Sequence, residues 1–185
     1  AGVISRLGRV EEGTTTSDYD PDEIRRRISV NLSLLPFEWQ GLKVNLVDTP
    51  GYFDFIGEAI SAMRVVDGAV IVVDAVAGVE VGTETVWKMA DERNLPRVVF
   101  INKIDRENAD FWRALNSLNA KFGRRCVPVQ LPIGSQAAFK GVVDLVGLRA
   151  YDGEDPGGGP VPADLAAQVE EYREKLVEAV VEADD

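Results

Sequence analysis

Apolar and polar residues alternate over 28–34 (Ile28-Ser29-Val30-Asn31-Leu32-Ser33-Leu34) and again over 42–47, with Gln40-Gly41 between the two stretches. A period of two on either side of a turn predicts an antiparallel hairpin. Two further runs, 69–73 and 98–101, are apolar without interruption, the pattern of strands buried on both faces. Between them, residues 84–93 have helical composition, with Thr83 as N-cap and Val86, Trp87 and Ala90 as an apolar stripe. Helices are also predicted over 55–66 and 110–122. Strands alternating with helices imply right-handed crossovers and a largely parallel sheet. Residues 18–27 follow neither period; they are polar, carry Pro21 and Arg25-Arg26-Arg27, and read as a mobile loop.

The character of the chain changes near Gly123. Short strands are predicted over 127–133, 141–145 and 148–151, then a Pro/Gly-rich stretch over 153–162 and a long charged helix from Ala163. The expected organisation is an α/β domain over 1–122 and a smaller α+β unit over 123–185. With 185 residues, 45% hydrophobic and 28% charged, a packed core is expected. A net charge of -11 argues against wrapping nucleic acid by bulk electrostatics, so no DNA partner is expected and any RNA contact must be local. Cys126 is the only cysteine, which rules out an internal disulfide; its apolar neighbours favour a core position over a reactive thiol and fit a reducing, cytoplasmic setting. No stretch approaches the roughly 20 apolar residues of a membrane span. The first residue is Ala1 and the last is Asp185, and both ends read as cuts in a longer protein.

In an open parallel sheet, ligands gather at the carboxyl ends of the strands. Two motifs fall there. Asp48-Thr49-Pro50-Gly51 follows the second alternating stretch; an aspartate so placed can engage magnesium through its water shell, and the glycine lets a backbone N–H approach a terminal phosphate. The plainer alternative is a turn, since Asp, Pro and Gly all form turns. Asn102-Lys103-Ile104-Asp105 follows the run 98–101. A carboxylate there can accept the ring N–H and exocyclic amine of guanine, which adenine cannot reciprocate. The lysine stem can pack along the base, and the asparagine amide can reach a base nitrogen; the alternative is a merely polar loop. Two such motifs in this order, one βα unit apart, carry more weight together than either does alone.

These motifs, with Arg9-Val10-Glu11-Glu12-Gly13, Tyr52-Phe53-Asp54-Phe55 and Met63-Arg64-Val65-Val66-Asp67-Gly68-Ala69, resemble elongation factor G. Gln130-Leu131-Pro132-Ile133-Gly134 and Gly141-Val142-Val143-Asp144 extend the likeness into that family's insert subdomain. The resemblance implies a P-loop-type α/β domain with a mostly parallel sheet and a monomeric, ribosome-associated GTPase. It also implies GTP or GDP and Mg2+ as cofactors and no membrane partner. It places 18–29 in the first switch, with Ser29 at the usual magnesium-ligating threonine beside Asp48, and 51–60 in the second. Asp48, Gly51, Asn102, Lys103 and Asp105 then become nucleotide-binding residues. The family's Gly-x-x-x-x-Gly-Lys-Thr phosphate loop is absent from these 185 residues, as is its later guanine-supporting loop, so this stretch by itself is expected to bind GTP weakly or not at all. Tyr52 stands where elongation factor G has a water-orienting histidine. A neutral phenol can hold a water but is a poor base; Tyr52 is thus the candidate catalytic residue, the alternative being a ring packed on its loop. Tyr52 and the three arginines resemble the elongation factor G-like paralogues, sometimes called elongation factor G-2, more than the housekeeping translocase. A GTP-holding regulatory module that does not hydrolyse, and a ribosomal protection or release factor, remain as alternatives.

Overall fold

A computed structural model describes residues 8–9, 12–123, 126–153 and 157–183; Val10 and Glu11 of the first family-like segment lie outside them. The chain divides into two compact units, one of Ala1–Ile71 with Val81–Val98 and the other of Val72–Glu80 with Val99–Asp185.

The first unit corrects the expected mobile loop. Pro21–Arg26 is a helix, α1. Asp20 caps it by accepting the Asp22 N–H at 2.8 Å, while the Glu23 carboxylate returns to the Asp20 N–H at 3.0 Å. This reciprocal capping box, with Pro21 at the first helical position, lets six residues hold a helix that no apolar periodicity announces. Arg27 closes it in the left-handed region at φ 58°.

Strands β1 (Ser33–Trp39) and β2 (Leu42–Asp48) form the predicted hairpin, in register from Ser33 opposite Asp48 to Trp39 opposite Leu42. Gln40 and Gly41 both have positive φ (50° and 78°), as a two-residue turn matched to strand twist requires. The first strand starts later than its alternation predicts. Val30 and Asn31 give their N–H groups to the Glu23 carboxylate and Leu32 gives its N–H to Glu58, so the backbone donors of 30–32 are spent on side chains. A 3-10 turn (Phe53–Phe55) leads into α2 (Ile56–Ala62), which stops short of Val66 as Arg64 and Val65 tighten onto the carbonyls of Ser61 and Ala62.

Strand β3 (Ala69–Asp74) pairs with β4 (Arg97–Asn102), and α3 (Val81–Glu92) connects them. The N–H of Ala69 meets the Pro96 carbonyl at one end and that of Ala75 the Asn102 carbonyl at the other, so both strands run the same way. Among the hydrogen-bonded pairs of described strands this one is parallel and the others, joined by connections too short for a crossover, are antiparallel, so the described sheets are mixed and not mostly parallel. Ile71 and Val73 are buried, but Val70 and Phe100 are 62% and 55% exposed. The described residues cover one face of these strands. Helix α3 begins at Val81, before Thr83, and buries Ala90 completely.

In the second unit, α4 (Phe111–Phe122) starts from Asp110, whose carboxylate accepts the Arg113 N–H, and buries Ala114, Leu115 and Leu118. Strands β5 (Gln130–Ile133), β6 (Gly141–Asp144) and β7 (Arg149–Tyr151) make an antiparallel meander. Helix α5 (Ala166–Ala183) supplies Val169 and Leu176 to a core with Leu131, Val143, Leu145 and Ala150. Cys126 is half-buried.

Candidate functional site

In the first unit the residues of interest surround the start and the end of the hairpin. Asp48 ends β2, half-buried, and Pro50 behind it is buried. Gly51 has open space where a side chain would stand. Tyr52 opens the 3-10 turn, its carbonyl accepting the Phe55 N–H at 3.0 Å. Tyr52 is 58% exposed among these residues. Ser29 donates its hydroxyl to Asp18 Oδ1 at 2.7 Å, and Thr15 donates to the other oxygen of the same buried carboxylate at 2.9 Å.

Beside Ser29 stands a charge that sequence reasoning missed. Glu23 is wholly buried, yet its carboxyl is held below the usual range. Burial is the largest single influence and raises it, but the N–H groups of Asn31, Val30, Asp20 and Tyr19 together outweigh burial. An anion ringed by backbone donors is stabilised as the anion. The signal was present in the sequence as Asp20-Pro21 followed by Glu23, the spacing of a capping box.

The second unit holds the Asn-Lys-x-Asp stretch, which begins on the last residue of β4. Asn102 Oδ1 accepts the N–H of Lys103 at 2.8 Å, and Lys103 takes the left-handed backbone at φ 61°. The Lys103 Nζ lies 2.8 Å from Asp74 Oδ2 at the end of β3. Lys103, followed by the N–H of Val76, keeps the Asp74 carboxyl below its usual range against partial burial. Asp105 is exposed in the turn beyond. The carbonyl of Ile104, between them, accepts the Gln136 N–H at 2.9 Å, tying this turn to the loop after β5. Asp74 was also missed, although it closes a predicted strand just as Asp48 and Asn102 do, and the same strand-end rule would have found it.

A cleft of about 510 Å³ opens beside Ile104, walled by Trp112, Arg113, Pro132, Gln136 and Leu165. Asn102, Lys103 and Asp105 do not line it, so it is not the pocket those side chains would form. Among the described residues no group of three or more His, Cys, Asp or Glu side chains could hold a metal ion, and no helix is long and apolar enough to cross a membrane.

These features define an α/β protein that carries polar, chemistry-bearing residues at the carboxyl ends of strands in each unit, the position where that class binds ligands. Residues 1–183 match the family described as the Elongation factor Tu GTP binding domain, and the chain belongs to that family. It is 43% identical to the Elongation factor G of Granulibacter bethesdensis and to that of Rhodopseudomonas palustris, and 46% identical to that of Neorickettsia sennetsu. Each match takes in the whole of this chain, which spans only 27 to 28% of those relatives. A solved structure from Thermus thermophilus superimposes with a TM-score of 0.90 at 37% identity, over all of this chain and 28% of that one.

Proposed function

We propose that the chain is the guanine-nucleotide-binding part of an elongation factor G-like translational GTPase that hydrolyses GTP on the ribosome. The observation that carries the reading is Asn102-Lys103-Ile104-Asp105 at the carboxyl end of a strand of a parallel βαβ unit, in a chain of this family. In this reading Asp105 accepts from the Watson–Crick edge of guanine, Lys103 lies along the base and Asn102 reaches a base nitrogen and braces the turn. Residues 1–122 form the nucleotide domain, of P-loop type with the phosphate loop outside these residues, and 123–185 form the insert. A cytoplasmic monomer is the setting that fits.

Asp48 and Gly51 face the phosphate side, Asp48 toward Mg2+ and Gly51 offering its N–H to the terminal phosphate. A hydroxyl and a carboxylate are the oxygen donors that Mg2+ takes, alongside substrate phosphates and water, so Ser29 and Asp48 fit it by chemistry. Ser29, however, now bonds Asp18 and must release that carboxylate first. When bound, the ion neutralises charge building on the phosphates. Tyr52, exposed as it is, can position a water by hydrogen bonding. Phosphoryl transfer depends mainly on positioning and charge stabilisation, so a strong base at this point is not essential.

Tyr52 in place of histidine also motivates a second reading, a module that holds GTP without turning it over. Phosphate release by the full-length protein with and without ribosomes separates the two. Ribosome-stimulated release is expected, and Tyr52→His is expected to raise turnover severalfold. No release in the presence of ribosomes would leave only the non-hydrolysing reading.

A further inference from the structure

We propose that Asp74 is a positioning residue for the guanine pocket: its carboxylate holds the Lys103 ammonium so that the lysine stem becomes a fixed apolar platform for the face of the base. The inference rests on the guanine-binding reading given above and deepens it. Asp74 ends β3 and Lys103 follows β4, and because those strands pair, the two side chains meet with Nζ 2.8 Å from Oδ2.

The aspartate is itself immobilised. Its second oxygen accepts the N–H groups of Val76 at 2.8 Å and Ala77 at 3.3 Å, and its carbonyl accepts the Gly78 N–H at 2.8 Å. Lys103 is therefore pinned at both ends, by its backbone N–H on Asn102 Oδ1 and by its ammonium on Asp74. An unanchored lysine spreads over many rotamers and presents a hydrated charge. Anchoring removes that freedom before a ligand arrives, so the ligand does not bear the ordering cost. Pairing also neutralises the ammonium, leaving the methylene stem as the surface on offer.

The pair is poorly suited to a purely structural role. Its side chains are 41% (Lys103) and 24% (Asp74) exposed, and ion pairs so open to water contribute little to stability. The strands stay joined without it through the Ala75 N–H on the Asn102 carbonyl.

The test titrates full-length protein with a fluorescent N-methylanthraniloyl-GDP and follows thermal unfolding in parallel. Asp74→Asn keeps an oxygen for Val76 and Ala77 but loses the charge. It is expected to weaken binding about tenfold, equivalent to about 1.4 kcal/mol, with unfolding unchanged, and Asp74→Glu is expected to recover part of the loss. Lys103→Met keeps a stem without an anchor and is expected to show a similar loss. In that background Asp74→Asn should weaken binding no further. Wild-type affinity in Asp74→Asn, or an undiminished effect in the Lys103→Met background, would overturn the role of Asp74 alone. If Asp74→Asn also unfolds early, Lys103→Met decides, and wild-type affinity there overturns the proposal. A wild-type protein that does not bind the probe overturns the guanine reading and Asp74 with it.

Discussion

Glu23 joins several local features of the first unit in one side chain. It caps α1, receives the N–H groups of Val30 and Asn31, and is wholly buried as an anion. Removing it leaves those donors unpaired in a dry site, so Glu23→Ala is expected to cost about 2–4 kcal/mol in a urea titration. Glu23→Gln, which keeps an acceptor oxygen, should cost less. The direction of the pH dependence follows from its lowered folded-state value. The stabilisation is present above the ordinary glutamate range and is lost as pH falls through the depressed folded value. Wild type should therefore lose stability more steeply than Glu23→Gln on acidification below the usual carboxylate range, and parallel curves would contradict this. Ser29 sits within the same knot through Asp18, which ties the proposed metal ligand to a part of the fold held by buried carboxylates.

At the scale of elements, what could be read in the sequence depended on where each element's backbone hydrogen bonds go. The hairpin, β3, β4, α4 and the meander were legible because their bonds run between regular strands or along a helix, with apolar residues repeating at the matching period. Helix α1 was not, because side-chain caps sustain it and an apolar face does not. The start of β1 was misplaced because Glu23 and Glu58 intercept the donors of 30–32. The alternation of Ile28 to Leu34 is real but is not converted into ladder bonds. The unbroken runs in β3 and β4 predicted strands, and these residues supply cover for one of their faces, since periodicity reports what a strand is suited to and not what covers it. The meander offers a sharper test. A Cβ on Gly141 would lie 1.9 Å from the Tyr151 carbonyl oxygen, and backbone cannot yield as a flexible side chain does. Gly141→Ala is expected to push β6 and β7 apart at a cost of about 2–4 kcal/mol, read as a lowered unfolding midpoint with faster amide exchange at Val142 and Val143. An unchanged midpoint would show that the strand ends shift freely.

At the scale of the whole molecule, the family is carried by motifs from both halves of the chain, which is why it is recognisable in the sequence. The net charge of -11 means that the ribosome contact proposed above would fall to local surfaces or to parts of the protein outside these residues, so the proposed activity is tested on full-length protein. The partner of Lys103, by contrast, emerged only when β3 and β4 were seen to pair, since no local pattern links residues so far apart in the chain. In the proposed function Asp105 reads guanine. The most direct test of that role is the affinity of full-length wild type and Asp105→Asn for GDP, ADP and xanthosine diphosphate. Wild type is expected to prefer GDP strongly over ADP. Asp105→Asn is expected to lose about 100-fold or more in GDP affinity and to gain xanthosine diphosphate, whose extra carbonyl accepts from the new amide. An Asp105→Asn protein that binds GDP as tightly as wild type would contradict the account.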